Sequence, residues 1–311
     1  MVNALSRHEH RENGHRASAA EAEALEFARN GLFAEAVESF TAALQLDPHR
    51  PGTYRLRGIA YSRLGLHEQA VKDFDKAIEQ DANCPGSFFE RGTAKMCSGD
   101  YGGAVEDFSR CLSLDPDHAA AYASRAGARV RKGQYEEALE DMETALSISP
   151  EQPGYLHNRA VILASLGRFG EAIRDYERVI ALDPKSAGSY NNLAWILATA
   201  DDPAYRDCRK AISYAVKALE LGMNGAWMDT LAAAYAECGD FEKAVAAERS
   251  AYRLSRPPNR SFLDRIRLYE KGETYAERVL KGHGRERRSG EPPHPEKRGT
   301  ALKHLILGKE E

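Results

Sequence analysis

The side chains of greatest chemical potential in this chain are five cysteines, ten histidines and 47 carboxylates, and their spacing decides what they can do. Cys84, Cys97, Cys111, Cys208 and Cys238 are odd in number, scattered and without a CxxC pair. They predict neither a disulfide framework nor a zinc site, and a reducing compartment fits that usage. His8, His10 and His15 offer nitrogen ligands near the start of the chain, but with no scaffold to fix their geometry they read as solvated side chains. His67-Glu68 lacks a second histidine one helical turn on, and the chain has no GxxxxGK[ST], no GxGxxG after a strand, no HExxH and no GxSxG. The carboxylates fall on helix surfaces and turns, whereas a general acid or base needs a partner held in a cleft. The expectation is a protein that is not an enzyme, with no catalytic residue, no metal and no cofactor.

One charged pattern is periodic. Arg57, Arg91, Arg125 and Arg159 are each followed, sixteen residues later, by Asp73, Asp107, Asp141 and Asp175. Guanidinium and carboxylate form a directed two-point contact. A row of arginines for anionic partners is the functional alternative. Because every arginine brings its own carboxylate, a ladder of Arg and Asp pairs along stacked helices is the reading adopted.

The elements that must carry these residues are helical hairpins. From Ala119 to Gln152, Tyr122, Ala126 and Val130 recur at helical spacing, Gly133 interrupts, and Tyr135, Ala138, Leu139, Met142, Ala145 and Leu146 form a second apolar stripe before Pro150. A glycine that takes the left-handed conformation and a proline just past a helix mark the two stops. Neither helix is long enough to stand alone, so the hairpin must stack on copies of itself. Copies follow every 34 residues, near 17–50, 51–84, 85–118, 119–152, 153–186, 187–224 and 225–256. Ala24, Gly58, Gly92, Ala126, Ala160, Ala194 and Ala232 hold one small position, and Ala36, Ala70, Ala104, Ala138, Ala172, Ala211 and Ala244 another. Small residues there let paired helices approach closely. Gly31, Gly65, Gly99, Gly133, Gly167 and Gly239 lie in the turns, and Pro48, Pro116, Pro150 and Pro184 end repeats; Ala82 replaces proline in the second, which predicts a weaker stop.

This combination resembles the tetratricopeptide repeat family, over roughly residues 17 to 256, and bacterial proteins with many such repeats in particular. The resemblance implies an all-α, right-handed solenoid of about seven hairpins whose first helices line a concave groove for a peptide segment of another protein. Carried over position by position, the groove residues are Arg55, Ile59, Arg63, Phe89, Thr93, Met96, Ser124, Val130, Arg131, His157, Asn158, Val161, Asn191, Asn192 and Trp195. Phe89, Met96, Val161 and Trp195 would give the middle an apolar floor, although Phe89 and Trp195 are equally explained by packing between repeats. Family members that grip a carboxy-terminal carboxylate use a Lys, Asn and Arg set that no three consecutive repeats supply here, so that specificity is not expected.

Outside the repeats, residues 1–16 are polar and predict a disordered arm. The sixth repeat carries a lengthened turn, ADDPAYRDCRK, read as a loop or an extra turn of helix. Residues 257–281 predict a capping helix over the last apolar face, and 282–311 a disordered basic tail. A net charge of −4 and a pI near 6.2 give no global reason to expect nucleic acid or a membrane surface. No signal peptide and no apolar run of spanning length is present, so the expectation is a cytoplasmic protein. The function expected is a protein-interaction scaffold that binds a peptide or helix of a partner protein, with self-association left open. The rivals are a nucleic-acid accessory protein using the basic tail and a regulatory subunit of a larger enzyme.

Overall fold

The computed structural model describes residues 2–255 and 260–278, with side chains from residue 11 onward. Among these residues every regular element is a helix, and two compact units divide the chain after Ile148.

The first unit holds four hairpins: α1 (Val2–Arg29) with α2 (Phe33–Leu46), α3 (Pro51–Arg63) with α4 (His67–Gln80), α5 (Pro85–Ser98) with α6 (Tyr101–Leu114), and α7 (Ala119–Arg131) with α8 (Tyr135–Ile148). A large side chain of each second helix fills the middle of its hairpin: Phe40, Phe74, Phe108 and Met142 are almost wholly buried. They lie against the small residues read from the sequence. A Cβ placed on Gly58 would come within 2.7 Å of the Phe74 ring, and one on Gly92 within 2.8 Å of Phe108. The hairpins therefore close to a separation that only hydrogen allows at those two places.

Each turn is built alike. Gly133 takes φ +78°, the left-handed conformation that costs glycine little, and the Gln134 N–H then reaches back to the Arg129 carbonyl at 2.9 Å. The next residue, Tyr135, starts α8. At the other end of the hairpin the stop is an aspartate as much as a proline. Asp47, Asp81 and Asp183 leave the helical conformation, the first two in extended backbone, and accept the N–H two residues on through their side chains. This corrects the expectation of a weak stop at Ala82: α4 ends at Gln80 because Asp81 ends it.

The arginine ladder is present and has a third arm. Arg57 meets both oxygens of Asp73 at 2.7 Å and gives its remaining Nη1 to Thr41 Oγ1 at 2.9 Å. Arg91 does the same with Asp107 and then Asp75, and Arg125 with Asp141 and then Ser109. The third partner always lies sixteen residues before the arginine, on the second helix of the preceding hairpin. One side chain thus closes its own hairpin and ties it to its neighbour.

The arm expected at residues 1–16 is corrected, because α1 begins at Val2. No proline interrupts residues 2–16, and α1 extends the first helix of its hairpin backward through them.

The second unit runs through α9 (Pro153–Ser165), α10 (Phe169–Leu182), α11 (Ala187–Thr199), α12 (Cys208–Leu221), α13 (Gly225–Glu237), α14 (Phe241–Leu254) and α15 (Arg260–Glu270). Arg159 repeats the ladder contact with Asp175, at 2.7 Å to each oxygen. The lengthened turn between α11 and α12 contains a 3-10 turn at Pro203–Tyr205, opened by Asp202 accepting from the Ala204 N–H. Tyr205 packs edge-on against Phe169, Arg206 pairs with Glu237 at 3.4 Å, and Cys208 is bonded to Cys238 with Cα atoms 5.3 Å apart. The turn is therefore a strap over the turn ends of α10 and α13. The disulfide corrects the sequence reading: thirty residues of separation hide the fact that the first residue of α12 and the residue after α13 lie on the same edge. The argument from cysteine usage for a reducing compartment falls with it.

After α14 the chain places α15 where a further first helix would stand, with Leu268 and Tyr269 on Ala232, Ala236, Ala244 and Ala247. It does not run on. Gly272 turns at φ +70°, and residues 275–278 form one helical turn. The basic tail and its proposed roles lie outside the described residues. Among the described residues no helix is long and apolar enough to cross a membrane.

Candidate functional site

The groove residues expected from the sequence fall into two sets, one on each unit. In the first unit, α3, α5 and α7 each keep one face clear of their partner helices. Arg55 and Arg63 flank Glu90; burial pushes the Glu90 carboxyl up while the two arginines oppose that rise. Arg63 is exposed and Arg55 half-buried, and neither forms an ion pair within 4.0 Å among the described residues. Thr93, Met96, Ser124 and Val130 are half-buried on the same run of helices.

Other members of that set are committed elsewhere. Phe89 stacks on His118 at 4.9 Å and tilts onto Phe108 at 5.8 Å, so it wedges α5 against α6 and the start of α7. Ile59 packs against Ala70, Phe74 and Ala94. Arg131 donates to the Tyr101 hydroxyl at 2.7 Å and lies over that ring. Arg57, Arg91 and Arg125 are held on three sides, which leaves them no hand for an anionic partner.

In the second unit a polar chain replaces open charge. His157 Nδ1 lies 2.7 Å from Ser189 Oγ, which meets Ser186 Oγ at 2.9 Å, and the imidazole sits edge-on to Tyr176. Burial lowers the His157 pKa, which favours the neutral ring. Asn192 Nδ2 donates to the Tyr176 hydroxyl at 3.2 Å, and Asn191 Nδ2 to Asn192 Oδ1 at 3.3 Å. Among the described residues Asn191 Oδ1 is buried with no hydrogen-bond partner. Asn158 is exposed and Val161 half-buried. Trp195 is only 6 % exposed, because Tyr275, from the turn after α15, lies 5.5 Å from it between ring centroids. The apolar floor expected at Trp195 is thus covered by the chain itself.

Sequence reasoning missed a second polar group under α15. Arg265 Nε reaches Asp229 at 2.6 Å and Glu248 at 2.9 Å, and all three are buried along with Tyr269. Two carboxylates share one guanidinium, so burial first and the Asp229 charge second push the Glu248 carboxyl well above its usual range. Arg265 stands at the ladder position of an eighth copy, 34 residues after Leu231, but Lys281 occupies the place of the aspartate sixteen residues on, so the pairing rule did not announce the group. It joins three successive helices and is buried, which makes it a fastener of α15. Among the described residues no cluster of three or more His, Cys, Asp or Glu could hold a metal.

Comparison with known proteins agrees with this architecture. Two models of the tetratricopeptide repeat match, one at residues 21–87 and 89–153 and another at 125–192. No match was found among curated protein sequences. Among solved structures, a tetratricopeptide repeat protein from Parabacteroides merdae aligns with a TM-score of 0.62 at 17 % identity, over 83 % of this chain and 100 % of its own. The carboxy-terminal part of a repeat protein from Cytophaga hutchinsonii aligns with a TM-score of 0.61 at 21 % identity, over 79 % and 98 %. YrrB, described as a repeat protein with an unusual peptide-binding site, aligns at 0.51 and 21 % identity, over 60 % and 93 %. At such identities the likeness speaks for the fold. With the 34-residue period, the glycine turns and the small-against-large hairpin packing, these matches lead to one conclusion: the chain belongs to the tetratricopeptide repeat family.

Proposed function

We propose that this protein is a scaffold that performs no chemistry of its own and holds a peptide or short helix of a partner protein against the open faces of α3, α5 and α7. The observation that carries the reading is the contrast within one run of helices. The ladder arginines are locked into the stack, whereas Arg55, Arg63, Thr93 and Val130 keep surface that the fold does not use, and Met96 beside them is half-buried against Ala104, Phe108 and Ala128. Apolar and polar groups in alternation suit an extended or helical segment, with Met96 and Val130 as anchors and the arginines giving direction to an acidic side chain. YrrB, with which this chain shares its fold, is described as having a peptide-binding site, and that lends the reading support.

The test starts with affinity capture from the native cell and mass spectrometry, followed by calorimetry on the captured partner. Arg63→Glu and Met96→Ala, each with helical content intact by circular dichroism, should weaken binding tenfold or more. Binding unchanged in both variants would sink this reading. The arginine row on which the nucleic-acid alternative drew is held by aspartates at Arg57, Arg91, Arg125 and Arg159.

A further inference from the structure

In the second unit the Trp195 position on the first-helix face is covered by a piece of the same chain. Trp195 stands at the position of α11 that the repeat pattern assigns to the groove, yet α11 is buried on every side from Ser189 to Thr199, unlike α3, α5 and α7. What covers Trp195 is the segment after Gly272. The Tyr275 ring lies on the indole, and Ala276 beside it is 1 % exposed. Gly272 makes this possible by sending the chain back over α11.

The fit is incomplete in two respects. One turn before Trp195 on the same helix, Asn191 Oδ1 is buried without a donor among the described residues. Burial raises the Glu237 pKa, Arg206 opposes that rise, and the like charge of Glu277 on the covering segment adds to it. A ligand that supplied a backbone N–H to Asn191 and lacked the acid would sit better than the segment now there.

We infer that the Trp195 seat is a second peptide site, specific for a tyrosine followed by a small residue, and that residues 273–278 fill it in cis until a partner segment of that kind displaces them. This inference rests on the reading of first-helix faces as peptide-binding surfaces, and extends it to a site that is shut in the resting protein. A displaceable cis ligand lowers the apparent affinity of the partner by the fraction of molecules in which the seat is open.

The experiment uses the full chain with Trp227→Phe, so that Trp195 alone reports by fluorescence. Tyr275→Ala should shift the emission to the red and raise acrylamide quenching several-fold, while Tyr275→Phe should not. The synthetic peptide ETYAER, which copies residues 273–278, should reverse both changes in the Tyr275→Ala protein. The peptide ETAAER should not, and neither should alter the parent. A second variant, Ala276→Glu, expels the segment without removing the tyrosine and should behave in the same way. The inference is overturned if Trp195 stays shielded in both variants, if it opens but ETYAER restores nothing, or if both variants lose helical content, which would make the segment part of the core. None of these outcomes bears on partner binding by the first unit, so failure here is distinct from failure of the scaffold reading.

Discussion

Arg57, Arg91 and Arg125 occupy equivalent places, but their aspartates are not equally provided for. Asp107 also receives Lys95 at 2.9 Å and Asp141 also receives Arg129 at 2.7 Å, whereas Asp73 has only Arg57 among the described cations. Removing one partner of a buried pair leaves an uncompensated charge, which costs about 3–5 kcal/mol. Arg57→Ala should therefore lower the thermal midpoint more than Arg125→Ala does. The Arg125→Ala and Asp141→Ala pair should still show a coupling of about 1–3 kcal/mol in a double-mutant cycle. Zero coupling would mean that the bidentate contact does not hold the hairpin. The pairing itself was legible in the sequence, because sixteen residues is the distance from one helix across the turn to its partner. The third arm was not legible, since Thr41, Asp75 and Ser109 share a position but no residue type.

At the scale of elements, the strap and α15 decide how the second unit holds together. The Cys208–Cys238 bond closes a loop of thirty residues, for which chain entropy gives about 3–4 kcal/mol. Reductant, or Cys208→Ser with Cys238→Ser, should lower the unfolding midpoint of the oxidised protein. Identical melts with and without reductant would exclude the bond as a support. The fastening of α15 should depend on pH through Glu248. Its folded carboxyl titrates above the ordinary value of 4.5, first because it is buried and then because Asp229 is near. The stabilisation from its protonated form is complete below that value and is lost as pH rises through the raised folded one. The thermal midpoint should accordingly decline as pH is raised from the glutamate range, and Glu248→Gln, which cannot ionise, should flatten the decline. These elements were the least legible part of the chain. Pro203 and Asp202 announced a turn, but the partners of Tyr205, Arg206 and Cys208 come from hairpins on either side, and periodicity says nothing of a contact made outside the period.

Across the molecule as a whole, what could be read beforehand was whatever repeats. Glycines at a fixed interval, alanines facing large side chains and the starts at Pro51, Pro85 and Pro153 each reflect a local rule applied many times, so the helices of the structure begin where that rule puts them. The candidate site was legible only as a set of positions. Whether a side chain at such a position stays open depends on neighbours that differ from copy to copy: His118 takes Phe89, Tyr101 takes Arg131, and Tyr275 takes Trp195. The arm of residues 1–16 was misread because polarity was taken as absence of structure, whereas the segment continues a helix that the first hairpin already holds from residue 17 on.

The three-handed arginine has a genetic consequence. A DNA segment encoding one 34-residue copy carries both halves of its fastening: an arginine that reaches back and a second helix that receives the next arginine. Tandem duplication or loss of such a segment inside the first unit would leave every junction with a matching pair. A chain with residues 85–118 inserted twice should therefore fold with unchanged helicity per residue, which makes the length of this protein easy for evolution to alter in whole steps and hard to alter in any other.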